Sequence, residues 1–144
     1  MRDFSTVSQQ VDALFRQVVC EENKGRYAEE LWHYYPQLTH SHGRRQETRY
    51  VYDLCRLAQF DPEGKRVLDA GCGYGLQLIV LHYMGAREGV GFDLSDNRLN
   101  TFQKIIEDFG LNESLRAYLK NLDDIDFEPA SFDMILSNEA ISHY

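Results

Sequence analysis

The sequence predicts an α/β fold in which a parallel sheet is preceded by helices. From residue 61 onward, short apolar runs alternate with stretches whose apolar residues recur at helical spacing. This alternation is typical of right-handed βαβ units, which build a parallel sheet. Before residue 61 only the helical spacing is found, and the 43% hydrophobic content is typical of a globular protein. We therefore predict a helical segment, residues 1–60, that packs on an α/β core, residues 61–144.

Three helices are expected in the N-terminal segment. The first spans about Thr6–Val19, and the second spans Arg26–Tyr35 and ends before Pro36. The third is expected over Arg44–Phe60, with an apolar face formed by Tyr50, Leu54, Leu57 and Ala58.

The second helix and the loop after it carry aromatic and histidine side chains. Trp32, Tyr34 and Tyr35 either pack against the core or form a wall over a ligand site. His40 and His42 lack a third ligand nearby, so no metal site is predicted.

Strands and helices alternate through the core after a turn at Asp61–Gly64. The first strand begins at Arg66, and the later ones are expected at Gly89–Asp93, Leu115–Lys120 and Phe132–Ser137. The run Met134–Leu136 suits a strand that is buried on both faces. The connecting helices are expected at Leu76–Met84, with Gly85 as the C-terminal cap, and at Asp96–Phe109, with Ser95 as the N-cap.

A glycine-rich turn, Asp69-Ala70-Gly71-Cys72-Gly73-Tyr74-Gly75, follows the first strand. Glycines permit a tight turn and let a ligand approach the main chain closely. In the dinucleotide fingerprint the third glycine lies five positions after the first, but here that position is Leu76. A carboxylate at Asp69 would also repel a pyrophosphate and would favour a cationic ligand. Both features disfavour an NAD-dependent enzyme.

This turn resembles the glycine motif of class I S-adenosylmethionine-dependent methyltransferases, which have a Rossmann-like parallel sheet. The resemblance implies S-adenosylmethionine as the cofactor and S-adenosylhomocysteine as the product. It also implies that the cofactor is held by residues of the turn itself, namely Asp69, Gly71, Cys72, Gly73 and Tyr74.

Asp93 ends the second strand roughly 20 residues after the glycines, where nucleotide-binding folds place an acidic residue against a ribose. One carboxylate can accept hydrogen bonds from both ribose hydroxyls. Leu94 would then offer an apolar surface beside the adenine. The alternative for Asp93 is a helix cap.

The segment Lys120–Phe127 resembles the loop after the third strand of these methyltransferases, where an acidic residue holds the adenine amino group. Asn121 occupies the acidic position, and its amide oxygen can accept the same hydrogen bond. The resemblance places the backbone amide of Leu122 at the adenine ring. Asp123 is the alternative acceptor if the loop is shifted.

The segment Ser131–Glu139 resembles the fourth-strand motif, which places Asn138 and Glu139 at the methionine side of the pocket. His143 follows, at a position where related small-molecule methyltransferases often carry a histidine. It is the candidate general base, needed only if the acceptor must lose a proton. A structural histidine is the alternative.

The composition bears on the methyl acceptor. Lys plus Arg number 15 against 23 Asp plus Glu, a net charge of -8 that disfavours a nucleic-acid partner. The stretch Ser137–Ala140 also lacks the Asn/Asp-Pro-Pro-aromatic signature of enzymes that methylate amino groups of bases. A small-molecule acceptor is therefore expected. The alternative is a non-catalytic module that binds the cofactor or acts as a scaffold.

The three cysteines are an odd number without metal-ligand spacing, and no stretch reaches the roughly 18 apolar residues of a membrane span. Both observations predict a cytoplasmic protein that does not enter a membrane. The sheet of the resembling family has seven strands, of which four are recognisable here. We therefore expect either a truncated chain or a homo-oligomer in which another copy covers the fourth-strand edge.

Overall fold

The structure, a computed structural model, describes residues 1–32, 43–120, 124 and 131–137. The longer helices that the structure describes are α1 (Phe4–Val18), α2 (Gly43–Leu57), α3 (Leu76–Tyr83) and α4 (Asp96–Asp108). The strands are β1 (Arg66–Ala70), β2 (Glu88–Asp93), β3 (Leu115–Leu119) and β4 (Met134–Leu136). A short 3₁₀ helix, Glu21–Asn23, follows α1.

The four strands form one parallel sheet in the order β3-β2-β1-β4. The chain moves outward from β1 through β2 to β3 and then returns to the other side of β1. In open parallel sheets a ligand binds where the strand order reverses, beyond the carboxyl ends of the strands. Ala70 is paired with Phe92, so the end of β1 lies beside the end of β2 at that edge. The predicted α/β fold with a parallel sheet is confirmed.

Helix α1 packs its apolar face into the same hydrophobic cluster as α2 and α3. Its N-cap is Asp3, whose carboxylate accepts the Thr6 backbone N–H at 3.2 Å. The helix begins slightly earlier than predicted, and its apolar residues at helical spacing are buried, namely Val7, Val11, Leu14, Phe15 and Val18.

The predicted apolar face of the third helix is wrong. In α2, Val51 and Cys55 are fully buried, whereas Leu57 is 80% exposed and Tyr50 is 47% exposed. Leu57 lies two positions after Cys55 and therefore points to nearly the opposite side of the helix. Because small and large apolar residues occur on both sides of this helix, the neighbouring helices α1 and α3 decided which side is buried.

The second predicted helix begins later than expected. Residues 29–32 are helical, and Arg26 and Tyr27 precede them, with side chains that reach across to Asp108. Tyr34 and Tyr35, together with His40 and His42, lie outside the described residues.

The prediction that strand β4 is buried on both faces is wrong. Leu136 is buried against the helices, but Ile135 is 50% exposed on the opposite face of the sheet. On that face lies a smaller apolar cluster formed by Leu68, Val90, Phe92 and Phe132.

Both predicted helix caps are confirmed. Gly85 has a φ of 105° after α3, and the Ala86 N–H donates to the Leu81 carbonyl as in a Schellman motif. The Ser95 hydroxyl accepts the Arg98 N–H at 3.3 Å and caps α4.

Candidate cofactor site

The glycine turn connects β1 to α3 through three left-handed residues. Gly71, Gly73 and Gly75 have φ values of 85°, 57° and 81°, a region in which side chains other than hydrogen are strained. Gly75 is also required by packing, because a Cβ there would lie 2.2 Å from the ring of Phe102 on α4. The turn is thus held tightly between the sheet and α4.

Four backbone N–H groups of the turn are bonded within the protein. Gly71 and Cys72 both donate to the Phe92 carbonyl at 2.8 Å, and Gly75 donates to the Cys72 carbonyl at 2.9 Å. The Gly73 N–H donates to Asp93 at 2.7 Å. A phosphate-binding turn instead presents such groups to the ligand. These four donors are therefore not available to a pyrophosphate.

Asp93 connects the end of β2 to the turn and to the start of α4. Its Oδ2 accepts the Gly73 N–H and its Oδ1 accepts the Ser95 N–H, both at 2.7 Å. A carboxylate has about four acceptor positions, so these two bonds leave capacity for further donors. Ser95 itself provides the side-chain cap of α4.

Asp69 and Cys72 are buried beneath the turn. Asp69 is 3% exposed, and the Cys72 sulfur lies where a side chain at Gly91 would be, at 2.6 Å from such a Cβ. Burial raises the pKa of the Cys72 thiol well above its ordinary range, and the charges of Asp69 and Asp93 act in the same direction. The thiol is thus protonated at neutral pH and unreactive. Its side chain packs inside the protein.

Tyr74 points in another direction, toward the N-terminal segment. Its hydroxyl donates to Glu30 Oε2 at 2.7 Å, and the Arg98 guanidinium lies 6.0 Å from its ring centroid. Burial and the Glu30 carboxylate raise the pKa of Tyr74 to about 12, so the hydroxyl stays protonated. Neither Glu30 nor Arg98 was predicted from the sequence. The contact of Glu30 with Tyr74 spans 44 residues, and such a contact leaves no local pattern.

The remaining predicted site residues divide into two groups. Leu94 lies directly after Asp93 and is 65% exposed, so an apolar side chain is accessible at this edge of the sheet. The others lie outside the described residues, namely Asn121, Leu122, Asp123, Asn138, Glu139 and His143.

In the described part of the chain, no group of three or more His, Cys, Asp or Glu side chains could hold a metal ion. No helix there is both long enough and apolar enough to cross a membrane.

Comparison with known proteins links this site to methyl transfer. The chain is 33% identical over 88 residues to the ubiquinone biosynthesis O-methyltransferase of Methylocella silvestris, covering 61% of this chain and 33% of that protein. It is 32% identical over 65 residues to the ribosomal protein L11 methyltransferase of Enterobacter sp., covering 45% of this chain and 22% of that protein. The chain therefore spans about a third or less of the length of these curated relatives.

A solved structure from Listeria monocytogenes, assigned as an S-adenosylmethionine-dependent methyltransferase, superimposes with a TM-score of 0.52 and 27% identity. The match covers 63% of this chain and 39% of the other. The Methyltransferase domain family matches residues 67–144, which is more than half of the chain and includes the glycine turn. The family resemblance, the Rossmann-like fold and the S-adenosylmethionine cofactor predicted from the sequence are thus confirmed, and the chain belongs to the methyltransferase domain family.

Proposed function

We propose that the chain is an S-adenosylmethionine-dependent methyltransferase that acts on a small molecule, or the cofactor-binding half of such an enzyme. The observation that carries this proposal is the position of Asp93, which fixes the glycine turn and keeps acceptor capacity at the carboxyl edge of the sheet. Asp93 would accept the ribose hydroxyls, and the exposed Leu94 would contact the adenine.

The charges and hydrogen bonds of the turn fit S-adenosylmethionine better than a dinucleotide. Four N–H groups of the turn are already bonded, and the carboxylates Asp69 and Asp93 lie beside it. This arrangement disfavours a pyrophosphate and tolerates a ligand that carries an ammonium and a sulfonium. We propose Gly71, Gly73 and the main chain of Cys72 as the surface against which the cofactor lies.

When it is bound, S-adenosylmethionine supplies a methyl group that its sulfonium has already activated for displacement. The residues of the chain then have to orient the donor carbon toward the acceptor, because in-line transfer depends on near-attack geometry. His143 as the general base and Asn121, Leu122 and Asn138 as cofactor contacts stay predictions.

The choice of a small molecule as the methyl acceptor is based on the net charge of the chain and on two similar proteins. The net charge of -8 disfavours a nucleic acid. One relative is named for ubiquinone biosynthesis and the other for a ribosomal protein, and we favour the small molecule. A cytoplasmic location and a homo-oligomer or larger chain that covers the β4 edge also stay predictions.

Isothermal titration calorimetry with S-adenosylhomocysteine tests the cofactor site. We expect saturable one-site binding, and a folded protein that shows none would overturn the proposal. Transfer of a labelled methyl group from S-adenosylmethionine to a set of small phenols, amines and carboxylates then tests activity. Binding without transfer to any of them would favour the non-catalytic module.

A further inference from the structure

Residues 26–31, which we call the strap, lie along α4, and residues 29–31 of the strap are helical. Arg26, the first residue of the strap, is anchored at the C-terminal end of α4. Arg26 donates to both oxygens of Asp108, from Nε at 2.5 Å and from Nη2 at 2.6 Å. The Tyr27 hydroxyl donates to the same carboxylate at 2.6 Å. Paired donors from one guanidinium fix orientation as well as distance.

The middle of the strap is bonded to the same face of α4. The Ala28 N–H donates to the Thr101 hydroxyl at 2.9 Å, and Lys104 Nζ donates to the Arg26 carbonyl at 3.1 Å. Thr101, Lys104 and Asp108 are three and four positions apart, so they form one row on the helix surface. Thr101 is 3% exposed and Leu31 of the strap is 1% exposed, so this part of the contact is buried, whereas Asp108 at the other end of the row is exposed.

The last part of the strap reaches the glycine turn. Glu30 accepts the Tyr74 hydroxyl at 2.7 Å, and Tyr74 lies between Gly73 and Gly75. Arg98, in the first turn of α4, lies 6.0 Å from the Tyr74 ring centroid, and its Cδ is 3.9 Å from the Cβ position at Gly73. The strap therefore runs from Asp108 to the turn over ten residues of α4, about 15 Å of helix.

We propose that the strap is a positioning element of the cofactor site, in which Asp108 docks the strap on α4 and Glu30 thereby holds Tyr74 in the glycine turn. This inference rests on the proposed function. Asp108 and Glu30 are positioning residues that act through Tyr74 and Gly73. Cofactor binding and strap docking are then coupled, because the turn is competent only while the strap is docked.

The expected loss of cofactor affinity depends on the fraction of molecules in which the glycine turn is ordered. If undocking leaves about 10% of the molecules with an ordered turn, the apparent affinity for the cofactor falls about tenfold. We therefore expect Asp108→Asn and Glu30→Ala each to weaken S-adenosylhomocysteine binding by about tenfold in calorimetry. Because both changes undock one element, the double variant should bind little worse than either single variant.

A matched control is Asp53→Asn on α2. Asp53 forms exposed ion pairs with Arg49 at 3.4 Å and Arg56 at 3.0 Å, and these contacts lie outside the strap. It should bind S-adenosylhomocysteine as the wild type does. The swapped pair Arg26→Asp with Asp108→Arg should recover part of the lost affinity, because it restores an ion pair between the strap and α4.

The possible results distinguish a failure of the strap inference from a failure of the proposed function. If the wild type binds and Asp108→Asn binds equally well, the strap inference is overturned while the proposed function stands. If Asp108→Asn does not fold by circular dichroism, Tyr27→Phe removes one hydroxyl contact to Asp108, and unchanged affinity in that variant would overturn the inference. If the wild-type protein does not bind S-adenosylhomocysteine, both the proposed function and the strap inference are overturned.

Discussion

Asp93 is the residue at which β2, the glycine turn and the start of α4 meet. Its two oxygens accept backbone N–H groups from Gly73 and Ser95. A sequence can place an acid at this register, but only the folded chain shows that the same carboxylate also orders the turn. A change at Asp93 should therefore affect both cofactor binding and stability.

Asp93→Asn should weaken S-adenosylhomocysteine binding at least tenfold in calorimetry. The amide has one acceptor oxygen instead of two, so one backbone donor loses its partner, at a cost of about 1–3 kcal/mol in unfolding free energy.

The control for this change is Asp133→Asn. Asp133 also accepts a backbone N–H, from Arg66 at 2.9 Å, but at the opposite end of β1 from the turn. We expect a smaller loss of stability and unchanged binding. Equal affinity of wild type and Asp93→Asn would remove Asp93 from the site.

His82 should make the stability of the protein depend on pH. Its Nδ1 is buried without a hydrogen-bond partner in the described structure. Burial, and then the charge of Arg2, lower its pKa below the usual 6.5. The folded state thus favours the neutral ring, so the contribution of His82 to stability is complete above about pH 6.5 and is lost as the pH falls through the lowered pKa.

His82→Phe keeps the ring that packs edge-on against Tyr83 at 4.9 Å and removes the titration. The melting temperature of the wild type should fall between about pH 8 and about pH 5.5 by more than that of the variant. Thermal denaturation at both pH values measures this difference. Parallel pH dependences would show that the ring does not titrate in this range.

At the scale of elements, α4 is the support of the site. Phe102 fills the space over Gly75, Ser95 caps the helix beside Asp93, and Thr101, Lys104 and Asp108 hold the strap. The end of β2, the glycine turn and the strap are all positioned against α4.

Gly75→Ala tests the contact between the turn and α4. The new Cβ would clash with the Phe102 ring in addition to the strain of a left-handed φ. We expect a loss of at least about 2 kcal/mol in unfolding free energy, measured by urea denaturation. Gly64→Ala is the matched control, because its φ is 72° but nothing lies within 4 Å of its Cβ position. Gly64→Ala should lower the unfolding free energy by only about 1 kcal/mol. Equal losses in the two variants would show that the Phe102 ring moves aside without a measurable loss of stability.

At the scale of the whole molecule, a ligand that binds only the folded state raises its stability by mass action. S-adenosylhomocysteine at about 100 times its dissociation constant should add about 2.7 kcal/mol. For a domain of this size, the melting temperature should rise by roughly 5–15 °C. NAD should cause no such rise, because four N–H groups of the turn are already bonded within the protein. A rise with NAD and none with S-adenosylhomocysteine would reverse the choice of cofactor.

Local interactions explain why much of the fold could be predicted. The helical spacing of α1, the caps at Ser95 and Gly85 and the strand that leads into the glycines all depend on residues that are neighbours in the sequence. The displaced third glycine and the acid at Asp69 likewise indicated the cofactor class from one short stretch.

The sequence by itself therefore determined the α/β class, the glycine turn and the family of this protein. Tertiary structure alone decided the buried side of α2, the exposure of Ile135 and the docking of the strap. The contacts of the strap with α4 join residues 73 to 82 positions apart, and its contact with Tyr74 spans 44. No local period encodes such contacts, because they depend on which surfaces the packed sheet and helices bring together.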